Sequence, residues 1–188
     1  MNPDRPPTLP GDAAPDADIA SMIRVDHAGE YGAVRIYDGQ LAVARLSFWG
    51  RGRARDAIRH MAEQEKRHLD TFDALVRARQ VRPTLLQPLW HVAGYALGAA
   101  TALIGERAAM ACTVAVEEVI DEHYRAQAAR LGDADPALVE TIEAARADEL
   151  THRAAAIEHG ATEALGYELI SAVVKTGSRL AIWLSTRL

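Results

Sequence analysis

Cysteine is almost missing from this chain of 188 residues: Cys112 stands alone, which excludes an internal disulfide framework and any cysteine-rich zinc or iron–sulfur site. Cys112 itself reads as a small buried packing residue, because nothing near it in sequence suggests thiolate activation. Strand signals are equally scarce. No alternating runs bounded by hairpin turns occur, and Ala, Glu, Arg and Leu dominate. There is no glycine-rich dinucleotide or phosphate loop, no nucleophile elbow, no HExxH and no calcium loop. Long basic runs are absent too, and 21 basic against 26 acidic side chains argue against nucleic acid as a partner. Any redox chemistry must therefore draw electrons from its substrate, a partner protein, or a small reductant that docks without a recognisable dinucleotide fold.

What is present is apolar material in helical rhythm. With 49% hydrophobic residues, a chain of this length makes one compact domain that buries about 70% of its extended-chain surface, so no staple is needed. The first fifteen residues hold five prolines and no apolar stretch. They resemble neither a secretory signal nor an arginine-rich transit peptide and are expected to be extended or disordered. The expected division is such a lead over 1–17, with Asp16 or Asp18 capping the first helix, and an all-α domain over 18–188. Periodicity predicts helices near 18–47, 54–79, 94–131, 136–160 and 165–186, with a short amphipathic piece near 84–92. Gly50 and Gly52, Pro83 and Pro88, Gly132 through Pro136, and Gly160 to Gly166 mark the breaks. Asp135 before Pro136 reads as an N-cap followed by proline at the first helical position, and Gly132 as a helix stop.

From Pro83 to Gly105, 23 residues contain no Asp, Glu, Lys or Arg. That length would span a bilayer, but two prolines, Gln87, His91 and many Gly and Ala make it less apolar than a true span. Three readings compete: a true span, a buried helix start, and a segment that lies on or dips into a membrane surface. The cluster Leu85, Leu86, Leu89, Trp90 and Tyr95 favours the surface, since such a patch is costly to leave in water. Near the end of the chain, Leu169, Val173, Leu180 and Leu184 recur at helical spacing, with Lys175, Arg179 and Arg187 near Trp183, a weaker signal of the same kind that an amphipathic core helix would equally give.

The two halves of the chain echo each other: each has a long helix with a candidate glutamate, then a helix carrying Glu-x-x-His. The pairs are Glu65 with His68 and Glu149 with His152. Positions three apart on a helix share a face, so each pair presents a carboxylate and an imidazole to one place. Glu30 lies on a stripe with Ile23, Val34, Tyr37 and Leu41, where charge needs a partner. Glu117 and Glu118 compete on the third long helix; Met110, Val114, Ile120 and Tyr124 share the face of Glu117, whereas Glu118 is turned away. One Glu from each of two helices and a Glu-x-x-His from each of two others is the ligand set of a two-iron or two-manganese carboxylate bundle. Glu65 and Glu149 are the natural bridges, and Glu30 and Glu117 the terminal carboxylates. Oxygen-rich ligation with one imidazole per metal suits iron or manganese better than zinc or copper. Asp121, Asp148, His123 and Tyr124 are placed to support ligands or relay protons, with Asp121 and Asp148 as partners of the two imidazoles. Surface or capping roles are expected for His60, Asp26 and His27.

The segments DHAGEYGA around Glu30, MAEQEKRHLDTF around Glu65, ERAAMACTVAVEEVIDEHYRAQ around Glu117 and DELTHR around Glu149 resemble those of the demethoxyubiquinone hydroxylases. These are the quinone-modifying branch of the ferritin-like di-iron proteins, and the resemblance runs from Ile19 to Leu188. It implies a ferritin-like four-helix bundle with additional membrane-facing amphipathic and C-terminal helices. It also implies a monooxygenase with two irons per chain, iron being preferred to manganese, that hydroxylates the ring of a demethoxyubiquinol, 2-polyprenyl-3-methyl-6-methoxy-1,4-benzoquinol, in ubiquinone biosynthesis. The family's ligands fall on Glu30, Glu65, His68, Glu117, Glu149 and His152, and its His-Tyr pair on His123 and Tyr124. The expected partners are the quinol, dioxygen, a membrane surface, and an electron donor or other quinone-biosynthesis proteins. The expected location is peripheral, on the cytoplasmic side of a bacterial-type cell membrane, with Leu85, Leu86, Leu89, Trp90, Tyr95 and Trp183 at the substrate entrance. The connection between the third and fourth long helices is expected to be shorter than in animal members, which bears on partner docking. Ferroxidase or iron storage, a manganese catalase-like activity, and a non-catalytic membrane scaffold are the rival readings.

Overall fold

The computed structural model describes residues 17–47 and 52–188; the expected extended lead and Asp16 lie outside them. Among the described residues six α-helices follow in order: α1 (Ala17–Leu46), α2 (Arg53–Ala78), α3 (Gln87–Ile104), α4 (Glu106–Leu131), α5 (Pro136–Glu158) and α6 (Tyr167–Ser185), with a 3₁₀ turn at Ala161–Glu163. The all-α fold class holds, and no strand occurs among the described residues. The four longest helices, α1, α2, α4 and α5, have 30, 26, 26 and 23 residues, so each extends for more than about 30 Å. They form the bundle: α1 packs on α2, and α4 on α5. The remaining two cover it, α3 lying along α1 and α6 along α4.

Two helix boundaries differ from expectation. The stretch 94–131 is not one helix, and 84–92 is not a separate piece. α3 starts with Pro88 in its first turn, where the missing N–H costs nothing, and runs to Ile104. Gly105 then takes φ 146 and ψ 173, a region open essentially to glycine, and α4 begins at the next residue. A lone glycine in an Ala-rich run carried too little signal against unbroken periodicity. Asp18 is not a cap either; it lies in the first turn of α1 and pairs with Arg130. Asp135 does cap α5, accepting from the Leu138 N–H at 3.2 Å, and its carboxylate is also held by both Arg79 guanidinium nitrogens. The Arg79 contacts hold its carboxyl below the usual range.

The bundle interior has two apolar clusters with a polar layer between them. Met22, Ile23, Phe72, Leu138 and Ile142 fill one end, where Phe72 stacks on Tyr124 at 6.3 Å between ring centroids. Ile58, Met61, Met110, Val114 and Ala156 fill the other. Fully burying each large side chain contributes about 1.5–3 kcal/mol. Cys112 is buried with Ala115, Val116 and Val174, and burial pushes its thiol up to about 12, in keeping with a packing role.

The covering layer is seated by glycines. Gly94 rests on the Gly32 carbonyl and Gly98 on that of Ile36, so the backbones of α1 and α3 touch. Side chains are excluded from this contact, which is why α3 can be rich in small residues and still lie tightly on the bundle. The α3 and α6 ends meet where the Leu85 N–H donates to the Leu188 carbonyl and the Trp90 indole to Ser185 Oγ, both at 3.0 Å. Among the described residues no helix is long and apolar enough to cross a membrane. Instead the layer turns apolar side chains outward: Leu85, Leu89, Val92, Tyr95, Leu103 and Ile104 from the α3 region, and Leu169, Val173, Leu180 and Trp183 from α6. Leu86 and Trp90 depart from the expected patch and are half-buried.

Replacing Gly98 by Ala would drive a methyl group into the Ile36 carbonyl and is expected to cost about 1–3 kcal/mol or more. Gly177→Ala on exposed α6, where a Cβ meets nothing within 4 Å, is expected to gain up to about 1 kcal/mol. Urea melts of both variants beside the parent check the contrast.

Candidate metal centre

The polar layer is built where the two Glu-x-x-His turns of α2 and α5 face the middles of α1 and α4. Glu30, Glu65, Glu117, Glu149 and His152 are all buried to 2% exposure or less, and the His68 side chain to 11%. Two overlapping groups of donor atoms result, each with its atoms within 4.8 Å of one another: Glu30, Glu65, His68 and Glu149, and Glu65, Glu117, Glu149 and His152. All six residues singled out in the sequence come together, and the two shared by both groups are Glu65 and Glu149. Glu118 points away, to Arg153 at 2.9 Å and Lys175 at 2.5 Å.

Within the centre, His68 Nδ1 lies 3.5 Å from Glu30 Oε2 and 3.3 Å from Glu149 Oε1. His152 Nδ1 lies 3.0 Å from Glu65 Oε1 and 3.1 Å from Glu149 Oε2. Several of these buried atoms lack an aligned hydrogen bond: one oxygen each of Glu30, Glu65, Glu117 and Glu149, and His68 Nδ1. Buried polar atoms are ordinarily satisfied, so lone pairs left pointing at a common gap fit a site that could hold metal ions. The donor set, oxygen-rich with one imidazole per group, fits iron or manganese.

Outside this ring, each glutamate of α1 and α4 is gripped from the opposite helix. The Tyr124 hydroxyl donates to Glu30 and the Tyr37 hydroxyl to Glu117, the latter at 3.0 Å. Burial, followed by the neighbouring carboxylates, pushes both phenols well above their ordinary value, so they remain donors. The outer nitrogens of the imidazoles are held in the same crossed manner: His68 Nε2 by Asp148 Oδ2 at 3.0 Å, and His152 Nε2 by Gln64 Oε1 at 3.2 Å.

Of the two aspartates expected to partner the imidazoles, Asp148 meets one and Asp121 does not. Asp121 turns to the Arg146 guanidinium at 2.5 Å, and Gln64 stands where a partner for His152 was expected of it. The Arg146 guanidinium on the facing helix takes the Asp121 carboxylate in a charge-assisted pair. Asp26 and His27 are not surface or capping residues. Asp26 is buried and bonded to His123 Nε2 at 3.1 Å, and His27 is buried and bonded to Asp73 at 2.8 Å. His60 is exposed, as expected. Two signals would have found the missed contacts: the residue just before each Glu-x-x-His glutamate, and the tyrosine seven residues after each terminal glutamate. Beyond His123 and Gln127 opens a cavity of about 320 Å³ between α1, α4 and α6, lined also by Arg130, Arg179, Trp183 and Arg187.

Four acids beside two imidazoles must share protons when no cation is bound. Burial, then repulsion from Glu149, raises Glu65 and Glu117 well above the carboxylate range, and burial raises Glu30 as well. Burial alone would lower the imidazoles, but contacts with Glu149 and Glu30 raise His68 to about 12, and contacts with Glu149 and Glu65 raise His152 to about 9. Glu149 goes the other way: despite burial, His152 and His68 hold it below the usual range.

The profile of the family described as ubiquinone biosynthesis protein COQ7 matches residues 17–185. The chain is 55% identical over 180 residues to the 3-demethoxyubiquinol 3-hydroxylase of Rhodospirillum rubrum, covering 95% of this chain and 82% of that one. It is 47% identical over 176 residues to the mitochondrial NADPH-dependent 3-demethoxyubiquinone 3-hydroxylase of Homo sapiens, covering 92% and 79%. It is 41% identical over 182 residues to the mitochondrial 5-demethoxyubiquinone hydroxylase of Saccharomyces cerevisiae, covering 89% and 77%.

Raised carboxylates and imidazoles both mean that the metal-free centre retains protons near neutrality, and cations must expel them. Metal loading is therefore expected to release protons, visible with an indicator dye in weak buffer, and apparent affinity is expected to rise with pH. The imidazoles stabilise the metal-free fold fully below 6.5; that contribution is lost as pH rises through about 9 for His152 and about 12 for His68. The raised carboxylates act in the same direction, and depressed Glu149 opposes them only at acid pH. Thermal melts of chelator-treated protein should show the midpoint falling as pH climbs from 6.5 to 9.

Proposed function

The chain belongs to the ubiquinone biosynthesis COQ7 family and is a 3-demethoxyubiquinol 3-hydroxylase, and we propose that it works as a di-iron monooxygenase docked on a membrane surface. The observation that carries the metal reading is the pair of overlapping donor groups sharing Glu65 and Glu149. Glu30 and His68 would hold one iron, Glu117 and His152 the other, and Glu65 and Glu149 would bridge. When bound, two irons supply the four-electron reduction of dioxygen: one oxygen atom enters the ring, converting C–H to C–OH, and the other leaves as water. Two of those electrons come from the substrate, and two, with two protons, from a reductant. The human relative's name carries NADPH, and we assign that class of donor, a nicotinamide dinucleotide, to this chain.

The chain's own residues have separable tasks. Asp148 and Gln64 turn Nδ1 of each imidazole inward by accepting from Nε2. Tyr124 and Tyr37 fix one oxygen of each terminal carboxylate and leave the other free. The apolar clusters above and below keep bulk water from the centre, which strengthens every charge interaction inside it. His123, bonded to Asp26 at the edge of the cavity, can hold a proton on Nε2 next to the Tyr124–Glu30 contact.

The substrate's isoprenoid tail gains roughly 0.8 kcal/mol per buried methylene and stays in lipid, so the ring must be met at the bilayer surface. The outward apolar sides of α3 and α6, with Leu85, Leu89, Tyr95 and Trp183 exposed, are the surface we assign to that contact. Peripheral attachment on the cytoplasmic side of a bacterial-type cell membrane is part of the same proposal.

Iron-loaded protein given a demethoxyubiquinol and labelled dioxygen is expected to yield product carrying one labelled oxygen by mass spectrometry. Glu65→Ala should lower turnover by more than the roughly 10- to 100-fold typical of losing an outer partner, with fewer than two irons per chain by elemental analysis. Ferroxidase activity with no labelled product would sink the proposal. In vesicle flotation, the parent should rise with lipid, and a Leu89→Lys, Val173→Lys double variant should stay below; full recovery of the parent in the soluble fraction would remove the membrane assignment.

A further inference from the structure

Resting on the two-metal reading, we propose that the two metal positions are unequal: the one framed by Glu30 and His68 fills first and binds more tightly, and Asp148 is the positioning residue that makes it so. An approximate twofold axis relates the halves of the centre. Glu30 and Glu117 each stand seven residues before a tyrosine, Tyr37 and Tyr124, and each tyrosine serves the other helix's glutamate. Three residues after each tyrosine comes a buried glutamine, Gln40 and Gln127. On α2 and α5, the residue before each Glu-x-x-His glutamate crosses to the other helix's imidazole.

Three matched places break the axis in one sense. Asp148, which holds His68, is matched by Gln64, which holds His152. Asp26, four residues before Glu30, is matched by Thr113, four before Glu117. His123, just before Tyr124, is matched by Ile36, just before Tyr37. Every ionisable member of these pairs stands on the Glu30 side, where Asp26 and His123 bond to each other and His123 lines the cavity. The Glu117 side has an amide, a hydroxyl and an aliphatic side chain in their place.

The consequence follows from ligand chemistry. An imidazole that coordinates through Nδ1 must carry its proton on Nε2 and donate it outward. A carboxylate acceptor draws that proton toward itself and makes the ring a stronger donor to the metal, whereas an amide oxygen accepts the bond without adding charge. His68 has the carboxylate at 3.0 Å and His152 the amide at 3.2 Å. The Asp148 side chain is 44% exposed, so solvent screens its through-space field, and its influence runs through the direct hydrogen bond.

Oxygen-free titration of the full chain with cobalt(II), followed by ligand-field absorption and electron paramagnetic resonance, tests this without turnover. The parent is expected to show an uncoupled, mononuclear cobalt signal at one equivalent that is lost to spin coupling at two, with dissociation constants at least about tenfold apart. Asp148→Asn should weaken the first step by about tenfold and draw the steps together. Gln64→Glu should leave the first step alone and tighten the second, and Glu30→Ala should abolish the tighter step. Equal affinities in the parent, or an Asp148→Asn loss confined to the weaker step, would overturn the inequality while leaving the two-metal reading intact. Saturation below two cobalt ions per chain would instead overturn that reading, and the inequality with it.

Discussion

Carboxylates resist burial, and this fold buries four of them at the waist of one bundle, with two imidazoles as the nearest counter-charges. Leaving such groups ionised away from water without partners costs many kcal/mol. Protonation relieves the stress in the absence of cations, and cations relieve it better. The rest of the architecture serves that arrangement. Helices of more than twenty residues give the centre apolar packing on both sides, and phenols donated across the bundle keep the terminal carboxylates from turning toward solvent.

Features with a helical period were legible in the sequence. Glu65 with His68, and Glu149 with His152, announce a shared face by spacing alone, and the apolar stripe around Glu30 shows that its charge is inward. The choice of Glu117 over its neighbour followed from the same angular reasoning. Contacts that cross between helices were not legible in that way. Asp121 and Asp148 looked equivalent on one strand of text, but only one faces an imidazole; the other faces Arg146, a competitor that periodicity cannot reveal. Asp26 and His27 look like ordinary polar residues until their partners, His123 and Asp73, are brought in from other helices. Gly105 shows a different gap: a single residue with φ 146 ends one helix and starts another, while its neighbours keep an uninterrupted apolar rhythm.

The covering layer joins stability to function. Glycine contacts let α3 lie on α1 backbone to backbone, so small residues suffice on its inner side and its larger apolar side chains are free to face outward. An amphipathic helix seated by side-chain interdigitation would spend those side chains on the bundle instead. The same layer carries the edge of the cavity through Trp183 on α6 and Arg187 just beyond its end, where Arg187 lies 4.2 Å over the Trp183 ring. The wall of this cavity is thus shaped in part by a helix that presents the apolar surface.

The joint at Gly105 has a mechanical side. Helices are stiff rods, and the pair α3 and α4 shares a one-residue elbow with no intervening loop to take up slack. Glu117 stands about three turns beyond that elbow. The pivot leaves the chain no slack, so the last turn of the apolar outer rod and the first turn of the rod that bears a carboxylate of the centre are anchored at one point of the fold.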